Sequence, residues 1–156
     1  MPLFKQLLLK DSIEIDTTPE KIWEFFKNLD KNYTIWHPKD HIVFRWTKGD
    51  PLEEGSNCYA EQYVMGKAKK YNATLAEIIP NRKIVFKWSY PVSLVSPKVE
   101  WMITPKGTHS FFTAITYIRA GHLFNKLFKK GMRRVIDAHN KHTSEEAENL
   151  KNILEK

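Results

Sequence analysis

Asn125–Glu155 reads NKLFKKGMRRVIDAHNKHTSEEAENLKNILE, and nothing in it after Gly131 breaks a helix. At roughly 100° per residue, Phe128, Met132, Val135, Leu150 and Ile153 fall on one face. In the middle of that face, where more apolar residues are due, stand His139, His142 and Glu146. Their i, i+3, i+7 spacing stacks three polar side chains on one side of the helix. A helix that buries the apolar neighbours must therefore carry two imidazoles and a carboxylate inward.

The chain before this helix reads mostly as strands. Leu7–Asp16 alternates, with Leu9, Asp11, Ile13 and Ile15 on one side. Thr18 can cap a short amphipathic helix whose first residue is Pro19 and whose apolar face is Ile22, Trp23, Phe25, Phe26 and Leu29. The segment 30–40 reads as turn-rich and holds Tyr33, Trp36, His37 and Pro38. Strands are then predicted over 41–47, 58–65, 69–79, 84–90, 99–103 and 109–118, separated by turns such as Lys48-Gly49-Asp50-Pro51 and Pro80-Asn81. Gly121 ends the last of them. The order is strand, short helix, about six strands, long helix.

Antiparallel strands joined by short turns make a curved sheet with one face to bury. The C-terminal helix is the element long enough to cover it. The expected fold class is α+β, with the curved sheet wrapped around that helix in a single domain spanning 1–156. Rings on the alternating strands, Tyr59, Tyr63, Trp88, Trp101, Phe111 and Tyr117, are expected between sheet and helix. They could close a solid core, or leave a ligand cavity.

Composition narrows the classes. The chain has 156 residues, 42% apolar and 13% aromatic, enough for one well-cored domain. No apolar run approaches the roughly 20 residues of a membrane span, and the opening MPLFKQLLLK lacks the cleavage pattern of a signal peptide. The one cysteine, Cys58, excludes a disulfide within a monomer and points to a cytoplasmic location. The net charge of +7 gathers partly in Lys67/Lys69/Lys70 and Lys126/Lys129/Lys130/Arg133/Arg134. These are solvated faces, or sites of weak, salt-sensitive attraction to anionic membranes. No nucleic-acid-binding pattern accompanies them.

The opening SIEIDTTPEKIWEFFKNLDKNYTIWHP, the sheet and the terminal helix together resemble the START-like, SRPBCC superfamily of polyketide cyclases and birch-pollen allergens. The resemblance covers essentially the whole chain and implies the helix-grip fold with a hydrophobic, aromatic or polyketide-like ligand. A narrower likeness lies in Trp36-His37-Pro38-Lys39-Asp40-His41 and in His142-x-x-x-Glu146 with Asn149-Leu150. These are similar to the phloretin and diacetylphloroglucinol hydrolases, zinc enzymes that cleave a carbon–carbon bond in acylated phenols. That likeness implies metal ligands at His142 and Glu146, and an early ligand at His41 or at His37. It offers His109 and His122 as candidates for a remaining histidine, and Glu61 as the match to an acidic catalytic residue. This chain is shorter than those enzymes.

The residue chemistry itself allows two outcomes. Catalytic zinc takes three protein ligands, commonly histidines with a carboxylate, and keeps one position for water. His142 and Glu146 at i, i+4 can aim at one ion, His139 lies one turn before them, and His41 begins a strand that could supply a third ligand. Glu61 could move a proton if it reached the site. Without metal, the same groups would hydrogen-bond each other and a ligand held by Trp36, the strand rings and His139. The protein would then be a carrier or sensor of a hydrophobic molecule. A co-chaperone-like interaction module of the same fold finds no support in these residues.

Overall fold

The computed structural model describes residues 5–120 and 122–156, with side chains described over 6–119 and 131–156. Phe128, His122, Gly121 and the lysines at 126, 129 and 130 lie outside the described side chains. Seven strands form one antiparallel sheet: β1 (Lys5–Ile15), β2 (His41–Lys48), β3 (Asn57–Val64), β4 (Lys67–Ile79), β5 (Lys83–Trp88), β6 (Lys98–Lys106) and β7 (His109–Ala120). Their order is β1-β7-β6-β5-β4-β3-β2. Three helices accompany them: α1 (Pro19–Lys27), α2 (Leu29–Trp36) and α3 (His122–Leu154). This is the helix-grip arrangement, with α3 lying along the concave face.

Local chemistry explains the elements. The Thr18 hydroxyl accepts from the Lys21 amide (3.3 Å), Pro19 opens α1, and Glu20 suits its positive end. Register slips between Leu75 and Glu77 on β4, and between His41/Val43 and Trp46/Lys48 on β2, add residues to one strand of each pair. Such bulges bend a sheet, which helps this one curl. The β3–β4 hairpin turns on Met65 and Gly66, both at positive φ (53° and 80°), as a tight two-residue turn requires.

One expectation is corrected here. The segment after α1 is a second helix, α2, where turns were expected. Asp30, Asn32 and Thr34 gave it a polar look, yet Leu29, Tyr33 and Trp36 fall on one side and are all buried. Burial of that face overrides the weak local propensity.

The core sits where α1, α2 and the sheet meet. Phe26 packs against Trp36 (ring centroids 5.4 Å), Trp101 (4.7 Å) and Phe112 (5.2 Å). From α3, Leu150 is fully buried and Ala147 nearly so. Two polar ties fix this end of the helix to the end of β1. Lys151 Nζ donates to the Glu14 carbonyl (3.1 Å), and the Asp16 amide donates to Glu155 Oε1 (2.9 Å). Higher up, Trp36 Nε1 donates to the Glu146 carbonyl (2.9 Å) and ties α2 to α3. Among the described residues, no helix is long and apolar enough to cross a membrane.

Candidate functional site

Above Leu150 the sheet and α3 part, and a cavity of about 780 Å³ lies between them. That is within the usual size range for small-molecule sites, about 300–1,000 Å³. Its wall is mostly apolar, with Phe44, Phe86, Trp88, Trp101 and Phe112 among the lining residues. Tyr63, Met65, Val95 and Val135 also line it and are exposed, so they mark its mouth. Val135 therefore leaves the buried stripe expected from the helical wheel and sits on the rim.

One wall is polar. The turn after α2 closes through the His41 amide on the His37 carbonyl (2.9 Å), which brings His37, Asp40 and His41 against α3. His142 stands at the centre. Its Nδ1 donates to Asp40 Oδ2 (3.0 Å), and its Nε2 meets Glu146 Oε1 (2.5 Å) and lies 3.4 Å from His41 Nε2. Glu146 Oε2 is 4.0 Å from His41 Nε2. His41 donates from Nδ1 to the Tyr33 carbonyl (2.8 Å) and stacks on the Tyr33 ring at 3.8 Å.

The electrostatics follow from these contacts. Burial would push His142 down, but the hydrogen bonds and negative charges of Glu146 and Asp40 win and raise it to about 9. Burial lowers His41 to about 4, against the partial opposition of Glu146. Burial would raise both carboxylates, yet the hydrogen bond from His142 and the neighbouring imidazoles hold Glu146 and Asp40 below their ordinary values. His139, which also lines the cavity, is lowered chiefly by burial and so stays a neutral base.

Two groups here have the composition of a metal site: His41/His142/Glu146 and His37/Asp40/His142. Hydrogen bonding separates them. Nδ1 of His37 accepts from the Asp40 amide (3.1 Å), so a neutral His37 carries its proton on Nε2, which donates to Glu145 Oε2 (2.9 Å). That nitrogen has no lone pair to offer a metal. His41 is the reverse. Its Nδ1–H is spent on a carbonyl, which leaves the Nε2 lone pair facing His142 and Glu146. Ligand atoms about 2.0–2.2 Å from a tetrahedral ion stand roughly 3.3–3.6 Å apart. The 3.4 Å between the two Nε2 atoms already matches this spacing, whereas the His142–Glu146 contact of 2.5 Å is a hydrogen bond that has to open, and the Glu146–His41 gap of 4.0 Å has to close, around an ion. The residues at His41, His142 and Glu146 thus fit a divalent metal, with the cavity on the open side.

The other singled-out residues divide by face. Trp36, Tyr63, Trp88, Trp101 and His139 line the cavity. Tyr59, Glu61, Phe111 and Tyr117 do not, and this corrects the expectation that they would. On β3 Cys58, Ala60 and Gln62 line the cavity, joined by Tyr63 and Val64 at the hairpin end, whereas Tyr59 and Glu61 alternate with the first three and point to the outer surface. There the Tyr59 hydroxyl donates to Glu61, and Arg45 lies over the Tyr59 ring. Thr116 and Ile118 line the cavity on β7, and Tyr117 faces outward beneath Lys98. Phe111 likewise lies under Lys106. His109 is on the surface near Glu14 and Asp16, far from the polar wall in contacts. Sequence reasoning passed over Tyr33, Asp40, Glu145 and the inward Gln62, which takes the Tyr33 hydroxyl hydrogen at 3.0 Å. For Tyr33 and Asp40 the visible signal was the cluster of polar and aromatic residues around His37, and Glu145 and Gln62 carried none.

A family model described as polyketide cyclase / dehydrase and lipid transport matches residues 6–148. No curated protein matches the sequence significantly. Solved structures similar in fold include the KanY protein in solution (TM-score 0.73, 15% identity, covering 97% of this chain and 99% of that one). The Aha1 dimer from Colwellia psychrerythraea is another (TM-score 0.65, 16% identity, 96% of both chains). A third is norcoclaurine synthase from Thalictrum flavum in complex with dopamine and hydroxybenzaldehyde (TM-score 0.64, 13% identity, 92% of this chain and 89% of that one).

Proposed function

The chain belongs to the polyketide cyclase / dehydrase and lipid transport family, and from that footing we propose that it takes a hydrophobic, aromatic or polyketide-like molecule into the cavity and hydrolyses it with a divalent metal. The metal would be held by His41, His142 and Glu146. Two imidazoles and one carboxylate are a donor set suited to zinc. The observation that carries this reading is the lone pair of His41 Nε2, aimed at His142 Nε2 3.4 Å away in a wall that opens on an apolar cavity.

When bound, the metal would supply a Lewis acid and a water acidified towards a pKa of about 7. The chain's own residues do the rest. Trp88, Trp101 and Phe86 present ring faces and edges that hold a flat apolar substrate and exclude water. His139, neutral and on the same wall, is the group placed to take or give a proton, the role that Glu61 cannot fill from the outer face. The likeness of the His142/Glu146 pair to the phloretin and diacetylphloroglucinol hydrolases favours acylated phenols or related ketones as substrates. The second reading, a metal-free carrier or sensor, rests on the same cavity and on the ability of His142, Glu146 and Asp40 to satisfy one another without an ion.

Elemental analysis of protein purified with zinc supplied, then challenged with acylated phenols, separates the two. The enzyme reading expects one zinc per chain, lost in His142→Ala, and acyl release that follows the metal. Absence of zinc after supply sinks that reading and leaves the carrier. The exposed Lys67, Lys69, Lys70, Arg133 and Arg134 support weak attraction to anionic membranes, which salt should abolish. The single thiol, Cys58, is buried and pushed up to about 12 by burial, an inert group at home in a reducing cytoplasm.

A further inference from the structure

We propose that Asp40, itself aligned by His37, is the positioning residue that keeps the His142 ring turned with Nε2 toward His41 and Glu146. For its effect on metal affinity this rests on the metal-site reading above; for the ring orientation it stands alone.

An imidazole on a helix can turn about its last torsion, and a neutral ring can carry its proton on either nitrogen. Both freedoms would move the lone pair of His142 away from His41. The Asp40 carboxylate removes them. Oδ2 takes the Nδ1–H at 3.0 Å, a charge-assisted bond that requires the proton on Nδ1. Asp40 is in turn fixed. Its amide donates to His37 Nδ1 (3.1 Å) and to the His37 carbonyl (3.2 Å). The His37 ring lies nearly parallel to the His142 ring, with centroids 4.8 Å apart. His37 is itself buried and held from outside, where Nε2 donates to Glu145 Oε2 at 2.9 Å and stands 3.6 Å from Asp40 Oδ2. The chain Glu145–His37–Asp40–His142 therefore runs from the rim to the candidate metal ligand. Carboxylates behind ligating histidines fix tautomer and orientation in this way, and their loss typically costs about 10–100-fold in metal affinity.

The test compares wild type, Asp40→Ala and Asp40→Asn for zinc affinity by chelator competition, with circular dichroism to verify folding. Asp40→Ala should weaken zinc about 10–100-fold. Asp40→Asn, which keeps an acceptor oxygen without the charge, should fall between and guards against misfolding of the alanine variant. A second readout is the ¹H–¹⁵N correlation of the His142 ring in chelator-treated protein at about pH 10, where the ring is neutral. The proton should sit on Nδ1 in wild type and move to Nε2 in Asp40→Ala. Equal zinc affinity in all three proteins overturns the inference while the metal reading survives. If wild type binds no zinc, the metal reading falls and the ring decides: a tautomer that changes with Asp40→Ala upholds the positioning role, and an unchanged one overturns it.

Discussion

The two halves of the described part of α3 face the same sheet and have opposite characters. From Ala147 to Leu154 the sheet closes on the helix, Leu150 is fully buried, and the inner contact is apolar, with the Lys151 and Glu155 ties at its edge. From Val135 to Glu146 the sheet curves away, and the same helix face looks into the cavity. One face thus serves as core at one end and as a binding wall at the other. Sheet curvature decides which. Where side chains reach across, burial stabilises. Where they cannot, polar groups must satisfy each other or a ligand.

The largest effect should come from the closed half. Leu150→Ala should cost about 2–5 kcal/mol, the usual range for a buried leucine, read as a lowered urea midpoint. It should leave zinc binding intact in protein that remains folded. Loss of metal binding without loss of stability would break the division.

His142→Ala attacks the open half. It should abolish zinc binding while the fold persists, at a stability cost of about 1–3 kcal/mol for leaving Asp40 and Glu146 without their shared donor. Dialysis with elemental analysis, alongside thermal melting, reads both.

A pH titration sharpens the contrast further. In chelator-treated protein, His41 is held at about 4 against an ordinary 6.5, so its stabilising contribution is present above pH 6.5 and lost as pH falls toward 4. His142 is raised to about 9, so its contribution is present below pH 6.5 and lost as pH rises toward 9. Stability should peak near pH 6.5 and fall by up to ~2 kcal/mol on either side. Zinc should reverse the alkaline limb, since it needs His142 unprotonated at Nε2. An alkaline limb that is unmoved by His142→Ala would refute the assignment.

The smallest effect belongs to the outer surface. Glu61→Gln, half-buried on the outer face and keeping an oxygen for the Tyr59 hydroxyl, should shift stability by less than about 0.5 kcal/mol and leave zinc and ligand binding unchanged. A large loss of activity in that variant would return Glu61 to the site.

The seven strands and α3 were legible because burial leaves a period, two residues in a strand and 3.6 in a helix. His139, His142 and Glu146 were legible for the same reason, as polar interruptions of an apolar stripe. Period alone does not tell which strand face looks inward. Tyr59, Glu61, Phe111 and Tyr117 alternate as well as Ala60, Gln62, Phe112 and Ile118 do, and large outward rings covered by Arg45, Lys98 and Lys106 mimic a lining. Asp40 was passed over because a turn has no period. Its importance comes from a partner 102 residues away.

That separation bears on how the protein comes into being. His41 and His142 are 101 residues apart, and Trp36 reaches the Glu146 carbonyl across 110. The early turn is made long before the helix that completes the wall has left the ribosome. Until then His37, Asp40 and His41 have their local partners and lack those on α3, Glu145 and His142. Contacts this distant in sequence form slowly and late. A chain that stops between residues 120 and 142 has every strand of the sheet and still lacks the α3 groups on which the proposed site depends.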